Sequence, residues 1–264
     1  MDFLSGLASN ILANIIFWLG LGFVVWITVQ VSQIKFRKFF GLNDKRQYRV
    51  YLSNLWTPRE GRTEGYTISE HEFRASESIA TLFGSAPFRL PELVRGLVDS
   101  FWLGNQIIIK TTASPIDSDK VSFTDNMIIV GGVGRNTVRK HYINTAASHL
   151  LFSGEKELLE GKELTRPYHI IITKGNRINQ TITGDYHFAI VEKFHDKEHK
   201  IVVFMCLGFR GDISWGAVQY LVYNWQKLHK KYQDKEFAMC LGFPKTNEYM
   251  TTYEEPIILA SFPD

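Results

Sequence analysis

The chain has 264 residues, of which 45% are hydrophobic and 14% aromatic, and its formal net charge is +3. This composition excludes an intrinsically disordered protein, because it supplies enough apolar surface for a packed core. The near balance of opposite charges argues against a surface that coats nucleic acid, although it is compatible with a small basic pocket.

The first predicted element is a helix that spans a membrane. Residues 3–34 carry no ionisable side chain, and about twenty apolar residues suffice for a helix to cross a bilayer. Lys35, Arg37 and Lys38 follow at once, so the positive-inside rule predicts that the rest of the chain lies in the cytoplasm. A cleaved signal peptide is the alternative, but it would need positive charge before the apolar segment.

These features divide the chain into three predicted parts. Residues 1–34 form the transmembrane helix, residues 35–44 a basic juxtamembrane linker, and residues 45–264 a cytosolic α/β domain that senses a ligand. Within that domain the first predicted elements are a strand at 49–55, a helix at 69–83 that opens with the capping pattern Ser69-x-x-Glu72, a helix after Pro91, and strands at 106–110 and 126–130. They are followed by a helix ending near 151, strands at 168–173, 188–194 and 200–207, a helix at 214–231, and strands at 237–241 and 256–262.

The order of these elements predicts the fold class. Continuous apolar strands that alternate with helices are typical of α/β proteins. We therefore expect a Rossmann-like, mainly parallel sheet with helices on both faces. The strands at 188–194 and 200–207 flank a polar tip and predict an antiparallel hairpin added to that sheet. Cys206 and Cys240 lie in apolar strands and are expected to be buried thiols.

Two glycine-rich loops follow predicted strands and supply the candidate ligand-binding residues. The first loop contains Gly131, Gly132, Gly134, Arg135 and Asn136, and the second contains Gly208, Arg210, Gly211 and Ser214. Ligands of α/β proteins bind where such loops meet the starts of helices, because glycine lets the backbone approach closely and the helix start offers free N–H groups. Asp212 or Ser214 is the expected N-cap of the helix that follows the second loop.

Each of these loops also carries an arginine, and this pairing predicts an anion site. Two cationic loops at one sheet edge would suit a ligand with several phosphates, so we expect a ligand of nucleotide type. The alternative is that the glycines only make tight turns. Thr137 stands where a dehydrogenase fingerprint needs its third glycine, and the Gly-Lys-Ser/Thr of a nucleoside triphosphatase is absent from the sequence.

Other chemistry has little support in the sequence. Catalytic motifs of hydrolases and metalloproteases are absent, so we predict no catalytic residue, no cofactor and no metal. His195 and His199 lie in a charged hairpin tip, which indicates a solvated turn rather than a metal site. A lone carboxylate such as Glu77 or Asp99 could serve an enzyme, but nothing distinguishes one.

The predicted membrane helix has one face that is polar at both ends and apolar in the middle. That face carries Asn14, Leu21, Val25, Thr28 and Ser32. Several copies could enclose a pore lined by this face and closed by dewetting at Leu21 and Val25. A pore needs at least three copies, and we favour a tetramer. The alternative is a simple anchor whose polar residues lie near the membrane surfaces.

The order of a single N-terminal span, a short basic stretch and an α/β domain with these two glycine loops resembles bacterial anti-phage membrane effectors. It is similar in plan to effectors of cyclic-nucleotide and oligonucleotide signalling systems, including the Hailong type. The resemblance implies an oligomeric channel in the bacterial inner membrane, controlled by a nucleotide-derived ligand that a partner enzyme synthesises. It implies a ligand-binding role for Gly131, Gly132, Gly134, Arg135, Asn136, Gly208, Arg210 and Gly211. A membrane-anchored enzyme acting on nucleotides and a plain anchored scaffold are the alternatives.

Overall fold

The computed structural model describes residues 2–42, 47–53, 55–56, 66–84, 107–113, 121–131, 136–144, 150–152, 170–174, 177–246 and 248–263. The helices in this part are α1 (Asp2–Phe40), α2 (Glu70–Gly84), α3 (Thr137–Asn144) and α4 (Gly211–Tyr232). The strands are β1 (Gln47–Leu52), β2 (Leu55–Trp56), β3 (Tyr66–Thr67), β4 (Ile108–Ala113), β5 (Asn126–Gly131), β6 (Leu150–Phe152), β7 (Ile170–Lys174), β8 (Arg177–Ile182), β9 (Tyr186–Asp196), β10 (Ile201–Gly208), β11 (Phe237–Pro244) and β12 (Ile257–Phe262).

Seven strands form the main sheet in the order β12-β11-β9-β10-β5-β1-β4. The four strands β4, β1, β5 and β10 run parallel to one another, whereas β9, β11 and β12 extend the sheet with antiparallel pairs. The predicted α/β class is confirmed, but the sheet is mixed: the predicted parallel arrangement holds for its centre, from β4 to β10, and not for β9, β11 and β12. The predicted hairpin is also confirmed, since β9 and β10 pair from Ile201 opposite Asp196 to Gly208 opposite Ala189.

Successive side chains of the central strands belong alternately to two hydrophobic clusters. In β10, Phe204 and Cys206 belong to one cluster and Met205 belongs to the other. The first cluster contains buried residues of α1, α2 and α4, and the second contains Val138 and Tyr142 of α3. Continuous burial of β10 explains why its sequence shows an unbroken apolar run.

Helix α1 is long and apolar enough to cross a membrane, and it is the one such helix in the described part of the chain. Side chains from Ile11 to Val24 are exposed, but Val29 is buried and Phe39 and Phe40 are fully buried in the first cluster. The expected linker at 35–44 is therefore helical as far as Phe40, and this last part of the helix belongs to the core of the domain.

Gly41 ends α1. Its backbone has φ +66°, a conformation that L side chains rarely adopt. The N–H of Leu42 donates to the carbonyl of Arg37, and the N–H of Gly41 donates to that of Lys38. This arrangement is a Schellman motif, which satisfies carbonyls that the helix end leaves without partners. A side chain at Gly41 would also collide with Val202 of β10, so the turn fits closely against the sheet.

Some element boundaries differ from the predictions. The helix expected to end near 151 ends at Asn144, and Leu150–Phe152 is instead strand β6, which pairs with β7. A short apolar run without clear periodicity fits either element, so only its pairing partner decides between them. The strand expected at 49–55 is β1 followed by the short β2. The helix expected after Pro91 lies outside the described residues.

Candidate functional site

The parallel strands place a topological switch point between β1 and β5. β1 has β4 on one side and β5 on the other, so the chain leaves β1 for one side and later returns to the opposite side. Ligands of open α/β sheets bind outside the carboxyl ends of the strands at this point. The residues at these ends are Ser53, directly after β1, and Gly131, the last residue of β5.

Three residues from separate elements meet at the switch point. Ser53 is 1% exposed and its Oγ has no hydrogen-bond partner, while Glu72 of α2 is 3% exposed. A side chain built on Gly131, whose φ is +128°, would place its Cβ 1.8 Å from Ser53 Oγ and 2.7 Å from Glu72 Oε1. Only glycine fits here, because both oxygen atoms already occupy the space beside its backbone.

Glu72 reaches this position through the cap of α2. Ser69 Oγ accepts a hydrogen bond from the N–H of Glu72 at 3.2 Å, which confirms the predicted N-cap. In a complete capping box the glutamate would turn back to the N–H of the serine. Here its Oε2 instead accepts the backbone N–H of Ser53 at 3.0 Å and so joins α2 to the end of β1.

Asn136, a predicted ligand residue, has a structural task at the same edge. Its Nδ2 donates to the carbonyls of Tyr51 and Val130 at 3.4 and 3.3 Å, and its Oδ1 accepts the N–H of Arg139 at 3.2 Å. The side chain is buried and links β1, β5 and the start of α3. Its amide is thus committed to the backbone. The other predicted residues of this loop, Gly132, Gly134 and Arg135, lie outside the described residues.

Arg210 of the second loop, a predicted ligand residue, is hydrogen-bonded within the protein. Its Nε–H and one N–H of Nη2 donate to the carboxylate of Asp212. The second N–H of Nη2 donates to the carbonyl of Glu248 at 2.7 Å. Nη1 lies 3.2 Å from the carbonyl of Thr246 and 3.1 Å from Nε2 of His187. The carboxylate and the two carbonyls account for four of the five donors of a guanidinium, and the remaining N–H faces His187 Nε2. Arg210 therefore joins Thr246 and Glu248 to the start of α4.

The expected N-cap of α4 is also different. Arg210 occupies the cap position and makes no side-chain cap hydrogen bond. Burial by itself would raise the pKa of Asp212, but hydrogen bonds from Arg210 and the N–H of Met250 outweigh burial and lower this pKa. Ser214 is buried and its Oγ donates to carbonyls of its own loop, those of Gly208 and Arg210. Both polar side chains make hydrogen bonds within the protein.

The two glycines of this loop permit close packing. A Cβ on Gly208 would lie 2.7 Å from the backbone nitrogen of Ser214, and one on Gly211 would lie 2.8 Å from Ser69 Oγ. The first contact makes the tight turn, and the second brings the start of α4 against the cap of α2. For the second loop, the structure agrees with the alternative that its glycines serve the turn.

Sequence reasoning missed Ser53, Glu72 and His71 as candidate site residues. The Nδ1 of His71 is buried without a hydrogen-bond partner, and its ring stacks on Tyr249 with centroids 5.8 Å apart. The Arg210 guanidinium lies 4.8 Å from the centre of the same Tyr249 ring. The capping pattern indicated a role for Glu72 at the helix start, but only the sheet order brings it to Ser53.

The hairpin tip between β9 and β10 is closed by its own side chains. Asp196 accepts N–H groups from Glu198 and His199, and its carboxylate lies 2.8 Å from His199 Nδ1. Burial by itself would raise the pKa of Asp196, but the hydrogen bonds from His199 and one from the Tyr142 hydroxyl outweigh burial and lower this pKa. Within the described ranges, no group of three potential ligands could hold a metal ion.

The domain covers some residues of the predicted pore face of α1 and leaves others exposed. Leu21 and Thr28 are exposed, and the Thr28 hydroxyl donates to the carbonyl of Val24. Val25 is partly buried against the first cluster, whereas Ser32 is only 8% exposed. Ser32 is thus mostly covered by its own domain. Asn14 lies on the exposed part of the helix.

Comparison with known proteins gives no identification. The chain matches no protein-family model, and neither a curated protein nor a solved structure is significantly similar to it.

Proposed function

We propose that this protein is an oligomeric membrane effector whose cytosolic domain binds a nucleotide-derived ligand and thereby controls an ion pore. The observation that carries the proposal is that α1 runs without a break from an exposed apolar segment into the core of the domain. A simple anchor needs no such rigid connection. The proposal includes a single pass through a bacterial inner membrane and a role in anti-phage defence.

The ends of α1 and of the two switch-point strands support a mechanical link. The Tyr48 hydroxyl, at the start of β1, donates to the carbonyl of Phe40. Asn126, at the start of β5, donates from Nδ2 to the carbonyl of Gly41 at 2.9 Å. Both strands therefore hold the end of α1 at one edge of the sheet and meet at Ser53 and Gly131 at the other.

The distance between the two ends of β1 is short enough for such a mechanical link. A strand of six residues spans about 20 Å at roughly 3.3 Å per residue. Small changes in the angle between β1 and β5 would move the attached end of α1, since both are packed into one core. A ligand that binds the two strand orientations with different affinity would shift the helix population accordingly.

The carboxyl edge is suited to an anionic ligand that also carries hydroxyl groups. α3 and α4 follow the parallel strands β5 and β10 and begin at this edge, and the start of α2 reaches it through Glu72, so the helix N-termini and their dipoles favour phosphate. Ser53 Oγ supplies an unpaired hydroxyl. The Glu72 carboxylate would repel phosphate but accept a hydrogen bond from a ribose hydroxyl or a base amino group. This combination favours a nucleotide over inorganic phosphate.

The fold contributes a further part of the proposal. We infer a Rossmann-like sheet covered by helices on both faces, supported by the presence of α3 in one cluster and of α1, α2 and α4 in the other. In this arrangement the ligand edge faces away from the membrane end of α1. Ligands produced by a partner enzyme in the cytoplasm would then reach the site without entering the membrane.

The ligand part is tested by Ser53→Ala and Arg135→Ala. Loss of one hydrogen bond to a charged ligand group costs about 1.5–3 kcal/mol, or roughly ten- to hundredfold in affinity. Calorimetric titration of the full chain in detergent with mononucleotides, cyclic dinucleotides and short DNA oligomers measures this loss. Lys227→Ala, at an exposed position of α4, is the control. Equal affinity in Ser53→Ala, Arg135→Ala and the control would remove the proposed site.

The pore part is tested by Leu21→Ser and Phe23→Ser. These side chains lie on the same exposed helix, about 200° apart around its axis. Leu21→Ser should raise basal ion flux through proteoliposomes, because a polar constriction retains water, whereas Phe23→Ser should not. Equal flux in the two variants, or a monomeric protein in mild detergent, would reduce α1 to an anchor.

The pairing of Ser53 with Glu72 favours one second candidate, a membrane-anchored enzyme that acts on a nucleotide. A buried carboxylate beside a serine hydroxyl at a switch point is a composition that nucleotide-processing sites also use. Nucleotide turnover by the purified chain that disappears in Glu72→Gln, with unchanged thermal unfolding, would favour the enzyme. Binding without turnover would favour the sensor.

A further inference from the structure

A cleft of about 780 Å³ lies where α1 leaves the domain, at the opposite end of the sheet from Ser53. It is lined by two kinds of residues. The apolar ones are Ile27 and Val31 of α1 and Trp225 of α4, and the basic ones are Lys35, Lys38, His229 and Lys230. No carboxylate is among the residues described as its lining.

The positive charge of this cleft is not neutralised by the protein. Lys35, Lys38 and Lys230 are exposed and form none of the ion pairs found in the described ranges. Nδ1 of His229 is buried and has no hydrogen-bond partner. Burial lowers the pKa of His229, and the charges of Lys193, Lys35 and Lys38 add to this effect, although a hydrogen bond with the backbone of Gln233 opposes it.

The order of apolar and basic side chains along α1 matches the order of acyl chain and phosphate along a phospholipid. Ile27, Val31, Lys35 and Lys38 fall on one side of the helix, within about 80° of one another at 100° per residue. Lys35 lies about 6 Å further along the axis than Val31 at 1.5 Å per residue. A lipid with its chain on the apolar residues would therefore bring its phosphate to the lysines.

We infer that this cleft binds an anionic phospholipid, with its headgroup phosphate between Lys35, Lys38 and Lys230 and an acyl chain along Ile27 and Val31. The inference rests on the membrane location in the proposed function. Because Thr28 and Ser32 of the predicted pore face also line the cleft, the bound lipid contacts the segment of α1 that joins the membrane to the domain. A second cleft, of about 600 Å³, shares Lys38 but contains Asp196 and Asp234, so it suits an anion less well.

The test uses the full chain in vesicles that mix phosphatidylglycerol with phosphatidylcholine. After extraction in mild detergent, the retained lipid is measured by mass spectrometry. Wild type should retain phosphatidylglycerol in preference, and the double variant K35Q/K38Q should lower this preference at least fivefold, given about 1 kcal/mol for each basic residue near an anionic surface. Lys227→Gln, an exposed lysine of α4 outside the cleft, should behave as wild type.

A second variant protects the test against misfolding. Gln226→Glu introduces a carboxylate into the cleft at an exposed position and leaves every lysine in place, so it should also weaken retention. Equal retention of both lipids by wild type, or wild-type preference in both K35Q/K38Q and Gln226→Glu, would overturn the lipid site. Displacement of the lipid by equimolar glycerol phosphate would overturn it in favour of a soluble phosphate ligand.

The result is separable from the proposed function. A chain that fails to co-sediment with phosphatidylcholine vesicles would contradict the membrane location itself. Co-sedimentation without a preference for phosphatidylglycerol would contradict only the lipid site and leave nucleotide binding and ion flux to their own assays.

Discussion

Arg210 shows how one side chain can hold a segment that has little secondary structure. Its guanidinium joins Asp212 at the start of α4 to carbonyls at Thr246 and Glu248, and Tyr249 lies against it. Asp212 in turn accepts the N–H of Met250 at 2.9 Å. The pair therefore connects the beginning of α4 with the chain that follows β11.

We expect Arg210→Ala to destabilise the protein by about 3 kcal/mol, because the buried carboxylate of Asp212 would lose its charged partner. Urea unfolding of the detergent-solubilised chain measures the change. Arg74→Ala, which removes an exposed helix pair with Glu70, should cost less than about 0.5 kcal/mol. Similar stability of the two variants would mean that Arg210 is available for a ligand after all.

Lys193 is a second residue whose surroundings decide its chemistry. It is 1% exposed in β9, its Nζ donates to the carbonyl of Asp234 at 3.2 Å, and it lies 5.0 Å from the ring centre of Phe39. Burial lowers its pKa from 10.5 to about 8, although the charges of Asp234 and Glu236 oppose the change.

This lowered pKa predicts a pH dependence of stability. Below pH 8 both the folded and the unfolded chain carry the charge, so the full cost of burying it is present. Between about pH 8 and 10.5 the folded state loses its proton first, so the unfolded state binds more protons and stability rises with pH. Unfolding measured across this range should show the rise in wild type and lose it in Lys193→Met. Lys227→Met, an exposed control, should keep the wild-type slope.

Among the elements, α1 has a continuous backbone, but its two parts lie in different surroundings. Its first part presents apolar side chains to its surroundings, and its last part is packed by aromatic rings. The Phe39 ring lies 5.5 Å from that of Phe204 in β10 and stacks on Phe237 of β11 at 6.0 Å. These contacts fix the direction in which the helix leaves the domain.

Phe39→Ala should therefore destabilise the domain by about 3–5 kcal/mol, the usual cost of removing a buried aromatic side chain. Phe23→Ala is the matched control, because the same residue type on the same helix is 60% exposed. Thermal unfolding in detergent should separate the two variants clearly. Equal melting temperatures would mean that the end of α1 is not anchored in the core in solution.

At the scale of the molecule, the predicted orientation places the domain in the cytoplasm. The two native cysteines provide a quiet background for a labelling experiment, since both are buried. Burial raises the pKa of the Cys206 thiol, and it raises that of Cys240 to about 12, so neither forms the reactive thiolate at neutral pH.

A cysteine added after residue 264 should react with an impermeant thiol reagent only when the inner membrane has been opened. The unmodified chain, labelled in parallel, reports any reaction of the native thiols. Labelling in intact cells would reverse the orientation, and with it the proposal that the ligand comes from the cytoplasm.

The sequence by itself determined the features that depend on local pattern. The apolar segment, the Ser69 cap, the β9–β10 hairpin and the buried cysteines follow from periodicity, capping chemistry and composition over a few residues. The tertiary structure decided which of the polar side chains make hydrogen bonds within the protein. Arg210 and Asn136 were predicted as ligand residues, yet carbonyls and carboxylates distant in sequence take up their donors. Ser53 and Glu72 were missed because the order of β1 and β5 in the sheet brings them together, and no local pattern encodes a contact between residues on separate elements.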